Sequence, residues 1–154
     1  MKIISAFALC LICIQIYACN NSAEIEQTNN SDNLSNTDSM KLKIKIGTHT
    51  FIATLFTNAT AVAFKAKLPM TINMTELNGN EKFFELTDNL PVNASKPGTV
   101  KAGDLMLFGS NTIVLFYKTF STSYSYTPFG SIDNPSGLAA ALGSGNLTVL
   151  FELE

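Results

Sequence analysis

The fold is predicted from one stretch, Gly103-Asp104-Leu105-Met106-Leu107-Phe108-Gly109-Ser110-Asn111-Thr112-Ile113-Val114-Leu115-Phe116-Tyr117-Lys118. It holds two apolar runs separated by a Gly-Ser-Asn turn, a pattern that is typical of a β-hairpin. Both faces of each run are apolar, because aliphatic and aromatic side chains occupy successive positions. Strands of this kind need cover on both sides, which predicts a filled barrel with helices against its outside.

The composition allows one ordinary domain and excludes several classes of function. The chain has 154 residues, of which 46% are hydrophobic, so a single core is expected. Nucleic acid is not an expected partner, because the chain has no arginine, the residue best suited to bidentate contacts with phosphates and bases. The cysteines are Cys10, Cys13 and Cys19, so the rest of the chain can hold no disulfide, thiolate metal site or cysteine nucleophile.

The sequence of residues 1–18 predicts a signal peptide. One lysine precedes an apolar segment that is short for a permanent membrane helix. The segment ends Ile16-Tyr17-Ala18-Cys19, which resembles a bacterial lipobox, where the cysteine is acylated and becomes the mature N-terminus. The alternative is an ordinary cleaved signal whose cysteines only fill an apolar segment. We expect an acylated Cys19 and residence in the bacterial cell envelope, in the outer membrane, because no aspartate follows Cys19.

Residues 19–39 predict a lipidated cysteine followed by a disordered polar tether. From Asn20 to Ser39 nearly every residue is Asn, Ser, Thr, Asp, Glu or Gln, and such a segment cannot bury enough apolar surface to order itself. As a flexible coil it would reach about 25 Å. The mature chain carries net negative charge, so contact with the membrane is expected through the lipid anchor only.

The folded domain is expected to span residues 40–154. Lys41–Ile46 alternates lysine with aliphatic residues, which predicts a strand with one wet face. Thr50–Thr57, Met70–Leu77 and Asn146–Leu153 are further predicted strands. The residues of the last strand that are expected to point inward are Leu147, Val149, Phe151 and Leu153.

Two short helices are also predicted. Asn58 is the expected N-cap of Ala59–Leu68, which ends before a proline. Asn134 is expected to cap the second helix, with Pro135 in its first position. This order of elements suggests a closed, mostly antiparallel barrel with the helices over its openings. Residues 119–130 are expected to form a long polar and aromatic loop, a kind of segment that often carries function.

Several segments of the chain resemble the bacterial cyclophilin-like domain family. The resemblance rests on Gly103–Phe108, the apolar return to Phe116-Tyr117-Lys118, the Thr127–Ile132 segment and the terminal Gly143–Asn146 segment. It covers about residues 40–154. It implies a mainly β fold, a closed or nearly closed, mostly antiparallel cyclophilin-like barrel with two short helices. It implies little about function, because domains of this family are largely uncharacterised.

The sequence departs from the catalytic pattern of the cyclophilins that it resembles. In those enzymes an arginine polarises the prolyl amide, and a histidine, an aromatic residue and a glutamine line the proline pocket. This chain has no Arg and no Trp, its glutamines are Gln15 and Gln27, and its single histidine is His49 in a predicted turn. A twisted amide is hard to stabilise without a preorganised donor. A divergent peptidyl-prolyl cis-trans isomerase is therefore the alternative hypothesis.

No motif predicts another reaction, a cofactor or a metal site. A single histidine is weak support for a Ser-His-Asp or a histidine–metal site. The turns at Gly109-Ser110 and Gly143-Ser144-Gly145 lack the Lys-Ser/Thr that follows in a P-loop. The acidic residues are scattered, and their spacing selects no pair for acid–base catalysis.

Aromatic residues form the remaining candidate site. Any one of them could be core, but Tyr124 and Tyr126 alternate with serines and carry hydroxyls that need partners. We therefore predict a non-catalytic binding module for a peptide or small-molecule ligand. The alternatives are a self-packed loop for the tyrosines and a structural or assembly domain for the whole chain. The predicted ligand groove consists of Phe83, Phe84, Phe116, Phe120, Tyr124 and Tyr126.

Overall fold

The computed structural model describes residues 40–154. The predicted signal peptide, the acylated Cys19 and the polar tether lie outside the described residues. The strands are β1 (Lys41–Ile46), β2 (His49–Leu55), β3 (Met70–Leu77), β4 (Glu81–Glu85), β5 (Thr99–Val100), β6 (Asp104–Phe108), β7 (Thr112–Phe116), β8 (Phe120–Ser121), β9 (Thr127–Ile132) and β10 (Leu147–Leu153), and the helices are α1 (Ala59–Lys65) and α2 (Leu138–Leu142).

Eight of these strands close into a barrel in the order β1-β10-β3-β4-β7-β6-β9-β2. Each pairing around the barrel is antiparallel, and the predicted central hairpin is the β6–β7 pair. The remaining strands, β5 and β8, form a two-stranded ribbon. The predicted fold class, a mainly β closed antiparallel barrel with two short helices, is confirmed.

The barrel interior is filled by the inward-facing residues of its strands, and both helices bury side chains in the same cluster. From α1, the ring of Phe64 lies 4.9 Å from the ring of Phe129 and 5.8 Å from the ring of Phe151, measured between centroids. From α2, Leu138 and Leu142 are buried in the same cluster. The helices therefore complete the interior core.

The outer face of the central hairpin is covered by strands and a loop, so the prediction of helices there is wrong. Met106, Val114 and Phe116 point outward and form a second apolar cluster with Val100 and Tyr126. This cover arises because the chain turns back after β7 and lays β8 and the following residues over the hairpin. Both faces of the hairpin are covered, as their apolar character predicts, but the covering element differs from the predicted one.

A charged cluster lies at one end of the barrel interior. Lys82 is fully buried, and its Nζ donates to the Glu76 carboxylate, to Gly143 O at 2.9 Å and to Gly145 O at 2.7 Å. The Tyr117 hydroxyl donates to Glu76 Oε1 at 2.8 Å. Burial, followed by the bond to Glu76, raises the pKa of Tyr117 to about 12. The donors of this lysine are thus all used within the fold.

Both helices differ from the prediction at one end. The N-cap of α1 is confirmed, because Asn58 Oδ1 accepts a hydrogen bond from Ala61 N at 2.9 Å. The helix ends at Lys65, however, and not at Leu68. The second helix begins at Leu138 and not at Pro135, because its N-cap Gly137 has φ of +81°, which no α-helical residue adopts.

The last four residues of the predicted loop at residues 119–130 belong to a barrel strand. β9 begins at Thr127, and its Phe129 is fully buried. Pro128 and Gly130 hide the strand pattern, since both residues are unusual inside strands. Gly130 fits the close approach to β2, where an added Cβ would lie 3.0 Å from Thr54 O.

The last strand has one inward-face residue that is not buried. Val149 and Phe151 are buried as predicted, and Leu147 is partly buried against the interior cluster. Leu153 lies on the same face as these residues, since it pairs with the buried Leu42, but as the last residue of the strand it is 44% exposed. Within residues 40–154, neither helix has the length and apolar character needed to cross a membrane.

Candidate functional site

A cavity of about 520 Å³ lies on the outer face of the barrel, beside β4, β6 and β7. We call it the outer cavity. Its lining comes from the turn between β3 and β4, the outward face of β4, the ends of the central hairpin and the segment that starts with β8. The lining residues are Leu77, Asn78, Asn80, Glu81, Phe83, Glu85, Phe108, Thr112, Val114, Phe120, Ser121, Thr122, Ser123, Tyr124 and Tyr126.

The register of β4 against β7 decides which β4 side chains line the outer cavity. Glu81 pairs with Phe116 and Phe83 pairs with Val114, and Phe116 and Val114 both belong to the outer cluster. Successive side chains in a strand point to opposite faces. Glu81 and Phe83 therefore point outward, while Lys82 between them points into the barrel.

Aromatic rings in edge-to-face or tilted contact form one wall of the outer cavity. The ring of Phe108 lies 6.0 Å from that of Tyr124 and 5.6 Å from that of Tyr126. Below them, the ring of Phe116 lies 5.4 Å from that of Tyr126 and 5.8 Å from that of Phe120. Tyr124 is 64% exposed and is the outermost ring of this group. The wall is therefore preformed, with one ring on the solvent side.

Backbone hydrogen bonds hold the segment that carries these rings. Ser95 and Tyr126 exchange bonds of 2.9 and 3.0 Å, and Thr122 N donates to Gly98 O at 2.9 Å. The ribbon pairs Phe120 with Val100. These contacts fix the backbone on both sides of Tyr124, so the tyrosines are presented by an ordered segment.

The structure brings together most, but not all, of the predicted groove. Phe83, Phe120, Tyr124 and Tyr126 line the outer cavity. Phe116 is fully buried in the cluster beneath it. Phe84 points the other way and packs against the interior cluster, because it follows Phe83 on a strand whose side chains alternate.

Two lining residues of interest, Phe108 and Glu81, are not among the predicted groove residues. Phe108 is 44% exposed at the end of β6, although its apolar run suggests core. Glu81 begins a five-residue strand. The signal that could have found it is the alternation of Glu81, Phe83 and Glu85, which places one aromatic and two acidic side chains on one face.

Glu81 is a buried acid. The residue is 9% exposed, and the ion pairs found within residues 40–154 all involve other carboxylates. Burial, together with repulsion from the negative charge of Glu76, raises the pKa of Glu81. Burial also raises the pKa of Tyr126, and the charge of Glu81 adds to this increase. The outer cavity therefore contains a carboxylate without a counter-charge from the described chain.

A second acceptor lies next to Glu81. Asn80 lines the outer cavity, and its Oδ1 atom is buried without a hydrogen-bond partner among residues 40–154. Its backbone groups are paired, since Asn80 O accepts from Tyr117 N at 2.9 Å and Asn80 N donates to Leu77 O at 3.3 Å. Only the Oδ1 atom is shown to be unsatisfied, which is uncommon for a buried polar atom.

The described residues contain no group of three or more His, Cys, Asp or Glu side chains that could hold a metal ion. His49 is an exposed residue at the start of β2, where its ring stacks 6.5 Å from that of Phe51. It does not line the outer cavity. The lining of the cavity offers aromatic surface, hydroxyls, side-chain amides and carboxylates.

Comparisons with known proteins assign the fold. A family model described as the cyclophilin-like family matches residues 44–152. The solved structure of a hypothetical protein from Archaeoglobus fulgidus is similar, with 18% sequence identity and a TM-score of 0.58 over 75% of this chain and 95% of that chain. The sequence has no match among curated proteins. At this identity the structural similarity shows the fold alone.

Proposed function

This chain belongs to the cyclophilin-like family, and we propose that its barrel is a non-catalytic binding module for a peptide or small-molecule ligand held in the outer cavity. The supporting observation is the cavity itself. About 520 Å³ of space, walled by ordered aromatic rings and edged by a few polar groups, has the size and composition of a site for small ligands. An extended peptide segment could use the same aromatic surface.

Catalysis is disfavoured by the charges that the cavity offers. Prolyl isomerisation is accelerated by a donor at the prolyl amide, and loss of one preorganised donor typically costs about 10²–10³ in rate. The chain has no arginine, and the lining of the cavity includes no lysine. Its charged side chains are Glu81 and Glu85, which have the wrong sign for this role.

A prolyl isomerisation assay on a standard tetrapeptide series tests the absence of catalysis. The purified protein is expected to leave the uncatalysed rate unchanged. An acceleration that disappears in Tyr124→Ala would establish the alternative, a divergent peptidyl-prolyl cis-trans isomerase. Tyr124 suits this test because it is 64% exposed, and its replacement leaves the core intact.

Retention of ligands from a cell extract tests binding. Wild-type protein and Tyr124→Ala are each incubated with an extract of peptides and metabolites and washed, and the retained molecules are identified by mass spectrometry. The matched control is Phe56→Ala, which removes a 39% exposed ring that does not line the outer cavity. We expect wild type and Phe56→Ala to retain the same molecule and Tyr124→Ala to lose it. Equal retention by all three proteins would refute this site.

We also propose that the protein is a lipoprotein of the bacterial cell envelope, anchored at Cys19 and resident in the outer membrane. The support is the sequence of residues 1–39, with its apolar leader, its Ala18-Cys19 junction and its polar tether. Metabolic labelling with a palmitate analogue should label wild type and leave Cys19→Ala unlabelled. Equal, weak labelling of both, with wild type free in the periplasm, would show that the anchor does not exist.

A further inference from the structure

The outer cavity carries negative charge and no positive charge from its own lining. Its two charged side chains, Glu81 and Glu85, lie on the outward face of β4. Glu85 is exposed, whereas Glu81 is 9% exposed. Glu85 therefore places negative charge at the solvent edge of the cavity, and Glu81 places it within the cavity.

Glu81 has no ion-pair partner, whereas several other acidic residues of the described chain form ion pairs. In the described part of the chain Lys82 pairs with Glu76, Lys41 with Asp133 at 2.8 Å, Lys45 with Glu152 at 2.6 Å and Lys67 with Asp88 at 2.8 Å. Lys82 directly follows Glu81, but it points into the barrel and is fully used there. Partial burial without a counter-charge makes the ionised form of Glu81 costly.

An organic cation would remove this cost. An opposite charge close to a carboxylate favours its ionised form, and a hydrogen bond between two charged groups is stronger than one between neutral groups. The aromatic rings beside Glu81 add to the attraction, because a cation is drawn to the face of an aromatic ring. The aromatic rings that line the cavity favour a cation attached to an apolar body.

We propose that the outer cavity selects a ligand in which an ammonium or guanidinium group is joined to an apolar body, with Glu81 as its counter-charge and the aromatic wall around the body. This inference rests on the proposed binding function and narrows it to one ligand chemistry. Two sources share that chemistry: a free organic amine, and a lysyl or arginyl side chain of an extended peptide.

Titration calorimetry with charged and neutral probes tests the proposal. The free-amine arm compares phenethylammonium chloride with neutral 2-phenylethanol. The peptide arm compares a capped alanyl-lysyl-alanine with the same peptide carrying norleucine in place of lysine. We expect the charged probe of at least one arm to bind at least about tenfold more tightly than its neutral counterpart, since a hydrogen bond to a charged group is worth more than a tenfold change in affinity. The arm with the tighter charged probe identifies the source.

The decisive variant is Glu81→Gln, which keeps the size of the side chain and removes its charge. It is expected to abolish the preference for the charged probe. Glu154→Gln makes the same change at an exposed position outside the cavity and is expected to keep the preference. Circular dichroism of each variant confirms that the barrel is folded before the titrations are compared.

The outcomes separate this inference from the function on which it rests. If charged and neutral probes bind equally and Tyr124→Ala abolishes both, the binding function stands and the cation preference is wrong. The cation preference is also wrong if Glu81→Gln still binds the charged probe more tightly. If no probe of either charge binds the wild-type protein, the cation preference is overturned, and the proposed function is decided separately by the retention experiment with wild type, Phe56→Ala and Tyr124→Ala.

Discussion

Glu76 and Glu81 are close in sequence and have opposite environments. Glu76, on β3, points into the barrel and accepts hydrogen bonds from Lys82, Tyr117 and the backbone N of Gly79. Burial by itself would raise its pKa, but these bonds outweigh burial and lower it. Glu81, on β4, points into the outer cavity, where burial raises its pKa with no compensating bond from residues 40–154.

The difference separates groups that serve the fold from groups available for binding. In the barrel interior the charges satisfy one another, as buried polar groups usually do. In the outer cavity a carboxylate and the Asn80 oxygen have no partner in the described chain. Functional sites are where such local inconsistencies are expected. Substitutions in the two regions should therefore differ in their effects on stability, from the largest in the interior to the smallest at the cavity wall.

Removing the buried lysine should produce the largest loss of stability. Lys82→Met removes the counter-charge of Glu76 and the donor to two backbone carbonyls, and breaking a buried pair in this way costs about 3–5 kcal/mol. The control is Lys45→Met, which breaks the partly exposed pair with Glu152 and should cost at most about 1 kcal/mol. Urea unfolding measures both. Similar losses in the free energy of unfolding for the two variants would show that the charged cluster around Lys82 does not stabilise the barrel.

Phe116, which lies beneath the outer cavity, should contribute more to stability than Tyr124 at its solvent side. Phe116 is fully buried beneath the cavity, so Phe116→Ala should cost about 3 kcal/mol. Both Phe116 and Tyr124 belong to the predicted groove, and unfolding of the two alanine variants can be compared directly. A cost below about 1 kcal/mol for Phe116→Ala would place this ring outside the outer cluster.

The two glutamates should have opposite effects on the dependence of stability on pH. The raised pKa of Glu81 lowers stability above that pKa, and this penalty disappears as pH falls towards the unfolded value of 4.5. The lowered pKa of Glu76 adds stability above 4.5, which is lost as pH falls through the folded value. Glu81→Gln should therefore be more stable than wild type at pH 7, with a smaller difference near pH 4.5. Unfolding at both pH values measures this, and a difference that grows towards pH 4.5 would contradict the assignment.

The smallest effect on stability is expected for the exposed wall. Tyr124→Ala removes a ring that is 64% exposed and should change the free energy of unfolding by no more than about 0.5 kcal/mol. The same variant should lose the ligand. A loss of stability above about 1 kcal/mol in urea unfolding would mean that the tyrosine serves the fold, as the self-packed loop alternative requires.

The sequence is a good guide where side chains alternate without interruption. Lys41–Ile46 and Met70–Leu77 are strands with the predicted bounds, because period-two patterns specify which face is buried. The strand at Thr127–Ile132 does not follow from the sequence, because Pro128 and Gly130 interrupt its pattern. Its place in the barrel depends on contacts with β2 and β6, which are distant in sequence.

The candidate site is predictable only in part. Aromatic content predicts four of the rings that line the cavity, but it cannot tell Phe83 from Phe84, since that choice depends on the register of β4 against β7. The role of Glu81 is not visible in the sequence. Glu81 can be distinguished from the other acidic residues only when its burial and its lack of a partner are known.

A crystal structure of the protein after incubation with cell extract tests the central claim most directly. The claim is that the interior uses its polar groups for the fold, whereas the outer cavity keeps Glu81 for a ligand. The predicted result is additional density in the outer cavity, with a ligand nitrogen about 2.7–3.0 Å from the Glu81 carboxylate and its apolar body against the aromatic wall. Density bound elsewhere on the barrel, with Glu81 paired to a group of the chain itself, would contradict the account.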